Sequence, residues 1–140
     1  LPAPSLPLNQ FAKALTKFAD PSKLEGIEKK AVIKIFESCV KYPLLFGGSE
    51  SVNSILTKSS NKKVLVKNGA DGVFIAIAPD EKAVLVVKIK DGNMKAAEVA
   101  IAGLLEEMKF LNNDETKKLK SQPILNSTVT KIGKMEWISL

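Results

Sequence analysis

The sequence predicts an α+β fold in one domain: helices first, then an antiparallel three-stranded meander, then a helix packed on it. Three observations predict it. Apolar residues recur at three- and four-residue steps up to about residue 58. Over residues 63–90 the pattern changes to short apolar runs separated by Gly-, Asn-, Asp- and Pro-bearing turns. A slim helical stretch rich in alanine follows from residue 94. Strands joined by short turns must pair antiparallel, and helices segregated from such strands define the α+β class. The 140 residues suit one domain, and 45% hydrophobic with 26% charged residues is an ordinary globular balance.

Residues 1–8 carry three prolines and should be extended. A helical region, 8–58, comes next. Its first helix spans 8–19, with Leu8, Phe11, Ala12, Leu15, Phe18 and Ala19 on one face, and Asp20-Pro21 ends it. Ser22 and Glu25 have capping-box spacing for a second helix over 23–41. Leu24, Ile27, Ala31, Ile35 and Phe36 form its expected buried stripe, with Val32 and Cys39 alongside. Tyr42-Pro43 stops it, Gly47-Gly48 breaks the chain, and a short helix over 50–58 carries Val52, Ile55 and Leu56.

The meander and its packed helix occupy 63–111. The strands are expected at 63–67, 73–78 and 83–90, with turns at 68–72 and 79–82. Val84 to Val87 is apolar on both faces, the pattern of a central, doubly covered strand. Asp91-Gly92-Asn93 closes the meander and caps a helix over 94–111, whose stripe is Ala97, Ile101, Leu104, Leu105, Met108 and Leu111. The tail, 112–140, has a short helix at 114–120 and then strand-like sequence with a turn near Gly133-Lys134.

The zero counts exclude the most chemistry. There is no His, so His bases, His-ligated zinc and Ser-His-Asp triads cannot arise within this chain. All 21 basic residues are Lys. Bidentate guanine reading favours Arg, and 6% aromatics is too few for a base-stacking surface. The net charge of +6 is spread along the chain, so it reads as solvated surface and not as a nucleic-acid site. No apolar run approaches the roughly 18 residues of a membrane span. The single Cys39 reads as a buried structural thiol and fits a reducing, cytoplasmic setting. Asn126-Ser127-Thr128 matches the glycosylation pattern, but no signal peptide accompanies it. A start at Leu1 instead of Met reads as a cut.

Without His, a nucleophile here needs Lys or a carboxylate as its base. Ser59-Ser60-Asn61-Lys62 has S-x-x-K spacing, but it falls at a polar helix end and reads as a solvated loop. Lys67-Asn68-Gly69 is the stronger candidate. A Lys ending a strand before a small turn has the shape of the K-T-G element, where an ammonium faces a cleft and can hold a carboxylate or activate a hydroxyl. Glycine at the third position lets substrate approach the backbone.

The segments Tyr42-Pro43-Leu44-Leu45-Phe46-Gly47-Gly48, Lys67-Asn68-Gly69-Ala70-Asp71-Gly72-Val73 and Lys88-Ile89-Lys90-Asp91-Gly92-Asn93, with Lys95-Ala96-Ala97 after them, resemble the L-asparaginase II family, the rhizobial type. That family's patterns read K-G-G-A-E-G-V and K-x-x-D-G-N-x-R-A. This chain has Asn68 for Gly, Asp71 for Glu and Lys95 for Arg. Asn126 and Ile132-Gly133 resemble the family's closing N…V-G pattern, and the proline-rich start resembles the segment after its D-G-C-G.

The resemblance implies a serine β-lactamase and penicillin-binding-protein fold, and hydrolysis of the asparagine side-chain amide by Ser-Lys groups. It implies that Lys67 is catalytic and that Gly69, Asp91 and Lys95 contact a small amino-acid amide substrate. Lys for Arg at position 95 weakens any clamp that needs a planar fork. The family's S-x-x-K nucleophile and its metal-binding Cys and Lys fall upstream of Leu1. The chain therefore reads as a C-terminal half, inactive without its partner half, with no cofactor or metal site of its own. The expected geometry sets Lys67 near the Asp91-Gly92-Asn93 turn on a concave surface. Two other readings stand beside it: a β-lactamase-like or penicillin-binding-like serine acylase, and a non-catalytic module binding through its Lys-rich surface. Homo-oligomerisation stays open.

Overall fold

A computed structural model describes residues 5–111 and 114–139. Residues 1–4 of the expected extended start, and 112–113 and 140 of the tail, lie outside the described residues. Five helices and the meander come first: α1 Leu8–Ala19, α2 Gly26–Lys41, α3 Pro43–Gly47, α4 Val52–Ser59, then β1 Leu65–Asn68, β2 Val73–Ala78, β3 Ala83–Lys88 and α5 Met94–Glu107. After them come α6 Asp114–Lys117, a 3₁₀ turn at Lys118–Lys120, and a hairpin of β4 Ser121–Leu125 and β5 Lys131–Glu136. The α+β class is correct.

The meander is antiparallel in the order β1-β2-β3, with Lys67 opposite Ile75 and Val73 opposite Lys88. Side chains alternate across it with the two-residue period of strands. One face carries Leu65, Ile75, Ile77 and Val84 against Leu15, Phe18, Phe36, Val40 and Phe46 of α1–α3. The other carries Val64, Val66, Phe74, Ala76 and Val87 against Leu56 of α4 and Ala97, Ile101 and Leu105 of α5. The result is three layers, helices on both sides of a small sheet. Fully burying Phe74, Leu56, Ile101 or Leu105 stabilises the fold by about 1.5–3 kcal/mol each.

Several expectations need correction. β3 is an edge strand and β2 is central. The apolar run of β3 reports cover by α1 and α5 on its two faces and says nothing of lateral position. The Ser22–Glu25 capping box does not form. Asp20 instead accepts the Ser22 amide at 3.1 Å and starts a separate 3₁₀ turn at Pro21–Lys23, while Glu25 precedes α2 with no side-chain cap. α2 turns Val32, Phe36, Cys39 and Val40 inward and leaves Ile27 at 83% and Ile35 at 49% exposure. Both of its stripes are apolar, so periodicity alone could not choose between them. α5 ends at Glu107 and Met108 is exposed. The tail's turn lies at 126–130, with Gly133 inside β5 opposite Ile124. Asn126 organises that turn, its Oδ1 accepting from the Thr128 and Thr130 amides and the Thr128 hydroxyl.

The hairpin docks on α5 through Trp137. Its Nε1 donates to Glu107 at 2.9 Å, and a Cβ added at Gly103 would sit 2.2 Å from the indole ring. Gly103 is thus the seat of Trp137.

Candidate functional site

α4 is stitched to the outer edge of β1 by a ladder of side-chain acceptors. Asn53 Oδ1 accepts the Asn68 amide at 2.9 Å, Thr57 Oγ1 the Val66 amide at 3.0 Å, and Ser60 Oγ the Val64 amide at 3.1 Å. The spacing explains the fit. From Asn53 to Thr57 four helical residues rise about 6 Å, close to the roughly 6.6 Å covered by the two strand residues from Asn68 to Val66. The Val66 and Asn68 amides of β1, which would face an open sheet edge, and the Val64 amide just before it are thereby paired, and Asn53, Thr57 and Ser60 are all buried.

The ladder fixes the end of β1. Asn53 Nδ2 donates to Asn68 Oδ1 at 2.7 Å, making the Asn53–Asn68 pair reciprocal. The same Oδ1 accepts from Lys67 Nζ at 2.8 Å, and the Asn68 carbonyl accepts from Nζ at 2.7 Å. Lys67 is half-buried, on the face that α1–α3 cover, with Nζ 5.9 Å from the Phe46 ring centroid. That is the outer reach of a cation–π contact. Phe46 is held by the seating of α3 on α4: Ser54 Oγ donates to the Pro43 carbonyl at 2.8 Å, and a Cβ at Gly47 would lie 2.5 Å from that hydroxyl. On the far side of Asn68, a groove of about 420 Å³ is lined by Asn53, Asn68, Glu50, Ser51, Glu98 and Gln122 among others; Lys67 does not line it.

The up-down-up order sets the end of β1 and the end of β3 at one edge of the sheet. Lys67 nevertheless bonds to Asn68 and not to the residues named with it from sequence. Asp91 Oδ1 accepts the Asn93 amide at 3.0 Å, and Asn93 Oδ1 accepts the Ala96 amide at 3.1 Å as the cap of α5. Asp91 therefore has a turn-forming role, and Lys95 is exposed in the first turn of α5. Gly69 is exposed, and an added Cβ would press only on the Val73 side chain, at 3.3 Å. Gly72 is the demanding glycine: its φ is +71° and an added Cβ would meet the Gly92 backbone at 2.9 Å. Lys88 ties this turn to β3, with Nζ donating to the Asp71 and Ile89 carbonyls at 2.7 and 2.6 Å and pairing with the Asp71 carboxylate at 3.3 Å.

The S-x-x-K stretch does not form a helical Ser-Lys pair. α4 ends at Ser59, and Asn61 and Lys62 take positive φ values of 54° and 65°. Ser60, expected in a solvated loop, is 2% exposed and serves the ladder. Cys39 is partly buried, and burial raises its thiol pKa, which disfavours a reactive thiolate. Among the described residues no group of three His, Cys, Asp or Glu side chains could hold a metal ion. Among them, too, no helix is long and apolar enough to cross a membrane.

The comparison with known families decides the relationship. The profile of the family described as L-asparaginase II matches residues 1–137. The chain belongs to the L-asparaginase II family. Membership gives this L-asparaginase II chain an asparaginase-like, hydrolytic function in general terms. No curated protein matches the chain closely enough to add a relative.

Proposed function

We propose that this L-asparaginase II chain contributes the Lys67-bearing part of an enzyme that hydrolyses asparagine to aspartate and ammonia by Ser-Lys chemistry. The observation that carries the reading is the ammonium of Lys67 held by both oxygens of Asn68, which is itself locked to Asn53. A positioned Lys at a strand end suits transfer of a proton to or from a serine hydroxyl or the leaving amine. In the proposed sequence a serine oxygen attacks the side-chain amide carbon. The serine proton passes to a neutral amine of the Lys relay as the oxygen attacks. The C–N bond breaks as that proton is handed to the leaving nitrogen, and ammonia departs. Water, losing one proton to the relay, which returns it to the serine oxygen, then cleaves the ester to free aspartate and the serine. Gly69, Asp91 and Lys95 lie on the substrate side in this reading, as the family resemblance assigns them.

The serine is proposed to come from a companion segment with the S-x-x-K element. Ser54 and Ser60 are buried and engaged, and Ser51 caps α4. Two surfaces support such a companion. β3, apolar from Ala83 to Val87, is at the sheet edge among the described residues, the position where another strand can pair. Ile27, Ile35, Leu44 and Leu45 are exposed on α2 and α3, with Leu45 at 88%. The test is ammonia release from asparagine by the 140-residue chain alone and by the chain joined to its upstream coding segment. The proposal expects none from the first and turnover from the second. Turnover by the chain alone would remove the companion. Acylation by a β-lactam with no asparagine hydrolysis would move the assignment to a serine acylase.

A further inference from the structure

At the end of the sheet opposite Lys67 lies a groove of about 700 Å³ between α1, the Pro21–Lys23 turn and the β2–β3 turn. Its volume falls in the range of small-ligand sites. Lys13, Lys17, Lys23 and Lys82 line it, from three separate pieces of chain, and Asp20 is its one carboxylate. Four lysines against one aspartate leave three formal positive charges in excess among the lining residues, half of the chain's formal +6.

Asp20 does not neutralise the rest. Its Oδ1 accepts the Ser22 amide, and its other oxygen pairs with Lys82 at 3.1 Å. Lys13 and Lys17 stand one helical turn apart on α1, where like charges repel. Lys82 is carried at a positive φ of 50°, a conformation most side chains avoid, with its amide bonded to the Pro79 carbonyl. No lining residue is aromatic or Arg. A base therefore has nothing to stack on, and a planar carboxylate has no fork to meet. What the groove offers is four lysines on three pieces of chain, and lysines bind phosphates as point charges.

We propose that this groove binds a compact polyanion of the triphosphate class through Lys13, Lys17, Lys23 and Lys82. The phosphate chain carries the recognition, so inorganic tripolyphosphate and a nucleoside triphosphate bind alike. The site is independent of the chemistry at Lys67.

Calorimetric titration of the 140-residue chain at low salt tests it, with tripolyphosphate, ATP and orthophosphate as probes. The expected result is one saturable site for tripolyphosphate, ATP within about threefold of it, and orthophosphate weaker by about tenfold or more. Lys13→Gln with Lys82→Gln should weaken tripolyphosphate by at least about tenfold with an unchanged circular dichroism spectrum. Lys118→Gln with Lys131→Gln, two exposed lysines off the groove, should change it by less than about twofold. Asp20→Asn should tighten binding by releasing Lys82, a gain that simple structural damage would not give. Unsaturable binding, equal losses from both lysine pairs, or ATP binding far tighter than tripolyphosphate would each overturn the proposal.

Discussion

Asn53 and Asn68 hold each other across 15 residues of sequence, Asn53 Oδ1 taking the Asn68 amide at 2.9 Å and Asn53 Nδ2 donating to Asn68 Oδ1 at 2.7 Å. Asn53 is 5% exposed and Asn68 half-buried, so the pair is a partly buried joint between α4 and the end of β1. Its loss should act twice. Asn53→Ala strips the Asn68 amide of its acceptor, which costs about 1–3 kcal/mol for a buried donor. It also frees the oxygen that orients Lys67. In a complete enzyme we expect a lowered melting temperature together with a fall in kcat, measured by thermal denaturation and ammonia release.

Thr57→Val separates stability from chemistry. The change is nearly isosteric and removes the acceptor for the Val66 amide, one step along the same ladder and away from Lys67. The expected loss is again about 1–3 kcal/mol, read by urea denaturation, with kcat little changed.

Helix propensity favours Gly103→Ala by about 1 kcal/mol, but packing opposes it more strongly. The new methyl would fall 2.2 Å from the Trp137 ring, which must leave α5 and give up its bond to Glu107. Overpacking costs about 1–3 kcal/mol. A net drop in melting temperature is expected, with a shift in Trp137 fluorescence, since Trp137 is the chain's one tryptophan. A rise in stability with unchanged fluorescence would contradict this seat.

Asp20 gives a pH signature. Hydrogen bonds from the Ser22 hydroxyl and amide, together with Lys82, bring its carboxyl from 3.8 to about 2. A carboxyl whose pKa is depressed by folding stabilises the fold above the unfolded value and loses that contribution as pH falls through the folded one. The melting-temperature difference between the wild type and Asp20→Asn should therefore be full above pH 4 and shrink between pH 4 and 2. A difference that stays constant across that window would contradict the assigned contacts.

The fold was legible where periodicity and turn chemistry agree. The α1 and β2 boundaries, 8–19 and 73–78, and the Asn93 cap of α5 follow from local sequence. What escaped was non-local. The polar residues Asn53, Thr57 and Ser60 recur at helical spacing, a pattern that ordinarily marks a solvated face, and only the approach of β1 turns them into buried acceptors. The inward side of α2 was ambiguous because two apolar stripes compete for it. At the site, Lys67 stood out as a strand-end Lys before a small turn. Asn68 read as a turn residue filling a glycine position, and its role as the joint between Lys67 and Asn53 has no signature in the sequence.

The central claim is that Lys67 moves a proton during amide hydrolysis, and kcat for Lys67→Ala and Lys67→Arg in the complete enzyme tests it most directly. Both variants should lose at least about 10²-fold in turnover, the lower range for a positioned acid–base group, because Arg keeps the charge but does not release its proton. Melting temperatures should change little, since Lys67 is only half-buried and its bonds are to its own neighbour, Asn68. Near-normal turnover in Lys67→Arg would make Lys67 an electrostatic anchor, and near-normal turnover in Lys67→Ala would contradict its assignment altogether.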